Sequence, residues 1–365
     1  MSEYPVVLAA PSRYVQQPGL LNDLGRWCRP FCPGGSVLVI AAPHIMPRAA
    51  ALKAGFAREG MKMELAEFGG ECCNAEISRL RGAMLRACCT MVVGIGGGKV
   101  LDTAKAVAHF QQVPVAVAPT AASSDAPCSA LAVLYTADGR LDRYLPLTQN
   151  PQLVLADSEV IAAAPPRLLA AGMGDALATW YEARACARSR AVCSSGGVAG
   201  AAALAMARGC RDILFAMGET ALADAKAGRR TGAVEQVIEV NLYLSGVGFE
   251  NGGLAAAHAV NNAFSGVGLC PGVMHGELVA FGLLVQLTLE QDDEEFAHVL
   301  RFCRMAGLPC TLADIGCGQL GPEMLELVAE KACDASGPMK NMPFAVTPAA
   351  LCEAIRTAST RAQGE

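Results

Sequence analysis

The chain has 365 residues, 53% of them hydrophobic and 17% charged, with a formal net charge of −5 at pH 7. This balance excludes a disordered chain and argues against nucleic-acid or anionic-membrane partners, which need clustered Lys and Arg. The opening MSEYPVVLAAPSRYVQQ lacks a basic stretch followed by a long apolar one, so no signal peptide is read and a cytoplasmic protein is expected.

The first 160 or so residues alternate short Val- and Ile-rich runs with helical stretches. SVLVIAA, MKMELAEF, TMVVGIG, VPVAVAP and QLVLAD read as strands, while EISRLRGAMLRAC and KVLDTAKAVAHF read as helices. Near-continuous apolar strands separated by helices predict a parallel sheet covered on both faces. One segment differs: in ALAVLYTADGRLDRYLPL, Asp138–Gly139 sits between two strand-like runs and predicts a hairpin.

The run VVGIGGGKVLDTAKAVA places Gly94, Gly96, Gly97 and Gly98 at a strand end, directly before a helix. Backbone without Cβ can approach a pyrophosphate, and a helix N-terminus offers free N–H groups and a positive dipole. Lys99 adds a cation. The spacing is neither G-x-G-x-x-G nor a P-loop, and a tight strand–helix turn would also need glycines. Downstream, APTAASSDAPCSALAVLY brings Thr120, Ser123, Ser124 and Ser129 to the same sheet edge, where open α/β sheets bind ligands. Asp125 before Ala-Pro also suits a plain turn.

Around Ile161–Pro166 the pattern changes. Later segments such as DALATWYEARACARS and ELVAFGLLVQLTLE have helical period and length, so the fold expected is an α/β Rossmann-like half (1–162) followed by an all-helical half (163–365), with a cleft between. The Ala-rich SGGVAGAAALAMA is too short to span a bilayer. Only five histidines occur in the chain, yet HAVNNAFSGVGLCPGVMHGE has one near each end, His258 and His275. They are either unrelated or two ligands of one metal. Sixteen cysteines include vicinal pairs but no C-x-x-C, so most are expected to be reduced and buried.

Together, GIGGGKVLDTAKA, PTAASSDAPCSAL, LLAAGMGDALATWYEA, YLSGVGFENGGLAAAHAV and MHGELVAFG resemble the glycerol dehydrogenases, the polyol branch of the iron-containing alcohol dehydrogenases. The resemblance runs in order over nearly the whole chain. It implies a metal held by Asp175, His258 and His275, with Asp175 also suited to cap a helix. One carboxylate and two imidazoles leave an open position, as in catalytic zinc sites. Thr179 stands where iron-type relatives carry a further His, which favours zinc, with iron the alternative. It also implies that Gly96, Gly97, Gly98, Lys99, Asp102, Thr120, Ala121, Ala122, Ser123, Ser129, Leu131 and Tyr135 hold NAD, and that Asp125 binds a substrate hydroxyl.

Two positions depart from the family pattern. An acid usually ends the second strand, where Ala41 and Ala42 stand here, so NADP use becomes conceivable. Asn261 replaces a His and is expected at the substrate end of the site, changing how a proton leaves. The activity implied is oxidation of glycerol or a vicinal diol, or reduction of the matching hydroxyketone, in a homo-oligomer; the family is commonly octameric. The alternatives are reduction of 2-oxo acids or other small carbonyls with NADP(H) or NAD(H) on the same scaffold, a dehydroquinate synthase-like lyase, which would need more Lys and Arg near the metal, or non-catalytic NAD binding.

Overall fold

A computed structural model describes residues 4–364. Six strands form one parallel sheet: β1 (Tyr14–Gln17), β2 (Ser36–Ala41), β3 (Lys62–Glu67), β4 (Met91–Gly96), β5 (Val115–Pro119) and β8 (Leu153–Asp157), in the order β1-β8-β5-β4-β2-β3. Side chains alternate across the pleat, and the two faces fill two separate cores. Leu38, Ile40, Val92, Val117 and Val154 pack on one side; Val37, Val39, Val93, Ala116 and Leu155 pack on the other. This is why the strands read as continuous apolar runs.

The expected hairpin is present as β6 (Leu131–Tyr135) and β7 (Leu141–Pro146), with Gly139 at φ 82° in its turn. It forms a separate two-stranded sheet. The edge strand β1 was not anticipated: YVQQ is short and half polar, and only its pairing with β8 makes it a strand. The chain passes outward from β2 to β3 and then returns to β4 on the other side of β2. The glycine run therefore sits at the carboxyl end of β4, beside the switch in strand order where open sheets take ligands.

After Asp157 every long element is helical. The helices Pro166–Ser189, Ala201–Lys226, Ala256–Val267 and His275–Glu290 build one apolar core with the C-terminal helix Pro348–Gly364. No helix among the described residues is long and apolar enough to cross a membrane. All sixteen cysteines are free and most are buried.

The helix containing Asp175 begins at Pro166, so Asp175 lies in its interior and caps nothing, contrary to the expectation. Pro at the first helical position sets that start. Glycine lets this helix meet the His275–Glu290 helix backbone to backbone: a Cβ on Gly276 would lie 1.9 Å from the carbonyl oxygen of Ala171, and one on Gly174 would lie 2.5 Å from that of Gly276. Close approach here sets Asp175 beside His275.

Candidate active site

Asp175 is 1% exposed. Its Oδ2 accepts the backbone N–H of Asp125 at 3.3 Å. Its Oδ1 faces Nε2 of His258 at 3.5 Å and Nε2 of His275 at 3.4 Å, yet makes no hydrogen bond. One ligand atom from each of the three residues lies within 4.8 Å of the others. A buried carboxylate oxygen that makes no hydrogen bond, converging with two imidazole nitrogens, is a donor set that fits a divalent cation. Burial pushes the Asp175 carboxyl up, but His275 and His258 outweigh it and hold it below the usual carboxylate range.

Each imidazole has a different support. The Ala256–Val267 helix starts without a side-chain cap of its own. Glu182, from the Pro166–Ser189 helix, accepts the backbone N–H groups of Ala255 (2.8 Å) and His258 (2.9 Å) with Oε1, and bonds Nδ1 of His258 at 2.6 Å with Oε2. It thus satisfies orphan donors of the helix and orients the ring. Burial lowers the basicity of His258, but the Glu182 and Asp175 carboxylates raise it well above the ordinary histidine range. His275 is half-exposed at the start of its own helix. The loop before it is pinned by Glu277, which accepts the N–H of Met274 at 2.8 Å and pairs with Arg167 at 2.6 Å; Arg167 also donates to the carbonyl of Gly272 at 3.1 Å.

A cleft of about 830 Å3 opens over these groups. Among the residues expected to hold a dinucleotide, Gly98, Lys99, Asp102, Ser123, Ser129, Leu131 and Tyr135 line it, as do Asp125, His258 and His275. Gly96, Gly97, Thr120, Ala121 and Ala122 do not. Gly96 ends β4 against Val100 and Ala42, the N–H of Thr120 donates to the carbonyl of Gly96 at 3.0 Å, and Ala122 is buried with its carbonyl accepting from Asn241 at 2.9 Å. These groups shape the edge of the cleft from behind. Asp102 turns one oxygen to the N–H of Val133 (3.0 Å) and the other to buried Lys105 (3.0 Å), which fastens the hairpin to the glycine-run helix.

The carboxyl of Asp125 is buried and accepts from Ser245 at 2.9 Å, and Ser245 bonds Thr179 at 2.8 Å. Thr179 is therefore engaged in a hydroxyl chain. Burial and the charge of Asp175 push the Asp125 carboxyl up to about 7. Asn261 is 2% exposed and sits behind His275, its Nδ2 3.2 Å from Nδ1, so it is not on the cleft wall. Its neighbour Asn262 is. One residue along a helix turns a side chain by about 100°, which is enough to exchange wall for interior.

Several groups at the site had no sequence expectation. Glu182 lies seven residues after Asp175, two helical turns on and on the same face, and that spacing was a usable signal. Glu71 pairs with Lys99 at 2.5 Å, and Lys99 also lies 5.0 Å from the centre of the Tyr135 ring. Cys193, Phe249, Leu254 and the segment Ser336–Asn341 complete the cleft; distance in sequence left them no local mark.

The family model for iron-containing alcohol dehydrogenases matches residues 11–158. The chain is 47% identical over 359 residues to a glycerol dehydrogenase of Escherichia coli O6:H1, covering 98% of this chain and 97% of that protein. It is 48% identical to a glycerol dehydrogenase of Pseudomonas putida over 93% of each chain. A crystal structure of a probable glycerol dehydrogenase from Sinorhizobium meliloti superposes with a TM-score of 0.92 at 38% identity, covering 99% of this chain and 100% of that one.

Proposed function

The chain belongs to the glycerol dehydrogenases, within the iron-containing alcohol dehydrogenase family, and from that premise we propose that it oxidises glycerol or a related vicinal diol, or reduces the matching hydroxyketone, with zinc and NAD(H). The observation that carries this reading is Oδ1 of Asp175, buried, without a hydrogen bond, and facing two imidazole nitrogens. When bound, the cation supplies Lewis acidity toward an alcohol oxygen and the nicotinamide accepts hydride.

Asp175, His258 and His275 would hold the cation as one anionic and two neutral ligands, a donor set that suits a catalytic metal. Thr179, committed to Ser245, adds no ligand, and this supports zinc over iron. Gly98 and Lys99, on the cleft wall, would meet the pyrophosphate, with Glu71 as counter-charge to Lys99, while Gly96 and Gly97 carry the strand into the helix behind them. Asp102, Ser123, Ser129, Leu131 and Tyr135 would frame the remainder of the dinucleotide, with Thr120, Ala121 and Ala122 shaping the edge behind them. Asp125 accepts a substrate hydroxyl; a carboxyl near 7 can take up or release a proton at neutral pH. Phe249 and Leu254 give the cleft apolar walls that keep water from the reacting carbon.

The same proposal makes the protein a cytoplasmic homo-oligomer, with residues 1–162 as the dinucleotide-binding domain and 163–365 as the metal- and substrate-binding domain. Turnover of glycerol, 1,2-propanediol and 2-oxo acids with NAD and NADP, after chelation and reloading with zinc or iron, tests it. Restoration of diol oxidation by zinc is expected. Full activity after chelation, or turnover of 2-oxo acids alone, overturns it.

A further inference from the structure

The two imidazoles that meet Asp175 differ in what stands behind them. Nδ1 of His258 faces Glu182, a carboxylate that can only accept, so this ring always keeps its proton on Nδ1. Nδ1 of His275 faces a neutral amide instead. Nδ2 of Asn261 lies 3.2 Å from it and 3.0 Å from Oδ1 of Asn262, while Oδ1 of Asn261 is buried and has no partner. An amide that donates to Nδ1 requires the lone pair there and the proton on Nε2, the atom turned toward Asp175. That tautomer offers no lone pair to a cation. For Nε2 to act as a ligand the proton must sit on Nδ1, and its partner must then accept.

We infer that Asn261 is the positioning residue of His275 and follows its tautomer: when a cation takes Nε2, the amide makes a half-turn and Oδ1 accepts the Nδ1–H. The half-turn exchanges two groups of nearly equal size, so it needs no repacking around a side chain that is 2% exposed. It gives Oδ1 the bond it lacks and passes the place without a partner to Nδ2. Asn262 turns its own amide in step and donates where it had accepted; it can, because it is half-buried on the cleft wall. No atom is transferred except the imidazole proton, which moves from Nε2 to Nδ1 through solvent at the half-exposed ring edge. Neither the carboxylate of Glu182 nor an aliphatic side chain at 261 could serve both tautomers. This rests on the reading of Asp175, His258 and His275 as metal ligands.

Zinc affinity, measured by competition with a chromophoric chelator, tests the inference in Asn261→Leu, Asn261→Asp and His275→Ala, alongside the visible spectrum of each protein loaded with cobalt. Asn261→Leu should bind zinc 10–100-fold more weakly and shift the cobalt spectrum. Asn261→Asp keeps an acceptor and should recover affinity to within about threefold of the parent. If the Leu variant fails to fold, Asn261→Ala carries the same expectation. Wild-type affinity in the Leu or Ala variant, or an Asp variant as weak as Leu, overturns the role of Asn261. Wild-type affinity in His275→Ala overturns the metal-site reading instead, so the two failures are distinct.

Discussion

Replacing Gly276 with Ala tests how the ligand geometry is built. A Cβ there would stand 1.9 Å from the carbonyl oxygen of Ala171, 2.7 Å from its carbonyl carbon and 3.1 Å from Cβ of Asp175. Real Cβ atoms essentially never approach closer than 3.0 Å, so the two helices must part by 3.0 − 1.9 = 1.1 Å. The obstacle is backbone within a helix, which cannot swing aside. His275 is the residue before Gly276 and moves with it, away from Asp175. Metal ligation tolerates about 0.2 Å, and a misplacement of about 1 Å costs on the order of a hundredfold in rate. Overpacking of this kind also destabilises by about 1–3 kcal/mol. The expected outcome is a lower Tm, zinc affinity reduced at least tenfold, and kcat/KM for glycerol down about a hundredfold. Gly266→Ala is the control: it lies in the Ala256–Val267 helix with nothing within 4 Å of a new Cβ, and should be neutral or stabilise by up to about 1 kcal/mol. Were Gly276→Ala to keep zinc affinity and activity within twofold, the close helix contact would not be what sets the site.

Glu182→Gln keeps the shape but removes the charge behind His258; zinc affinity should fall about 10–100-fold, measured by chelator competition, with unchanged affinity counting against its orienting role. Glu295 concerns stability alone: burial raises its carboxyl, but bonds from Arg211 and Tyr181 outweigh this and hold it below the usual range. A depressed carboxyl contributes stability that is complete above its unfolded value of about 4.3 and is lost as pH falls through the folded value. The Tm gap between wild type and Glu295→Gln should therefore be full at pH 7 and close below pH about 4; a gap independent of pH would contradict the assignment. At the end of β2, Ala41 and Ala42 carry no acid, and Arg48 is already tied to Asp157 at 3.4 Å. The preference of kcat/KM for NAD over NADP should thus stay below about a thousandfold and rise at least about tenfold in Ala42→Asp; a strong NAD preference in the wild type would refute this.

Much of the fold was legible in the sequence because burial on two faces leaves a run such as SVLVIA no polar alternative, and because helices and strands announce themselves by period. The exception proves the mechanism: YVQQ has neither length nor an apolar run, and is a strand only because β8 offers it an edge. At the site, Asp175, His258 and His275 were identified through their motifs, and the fold brings their ligand atoms together from three helices. Residue types and their immediate neighbours decided that a carboxylate and two imidazoles are present, that glycines end β4, and that no acid ends β2. Only the tertiary structure decided what stands behind each ligand. Whether Nδ1 of a histidine meets the carboxylate of Glu182 or the amide of Asn261, or whether Asn261 faces the cleft or the interior, depends on helix backbones too close at Gly174 and Gly276 to admit a Cβ and on roughly 100° of rotation per residue. Such distances are set by packing between segments a hundred residues apart, and local sequence carries no trace of them.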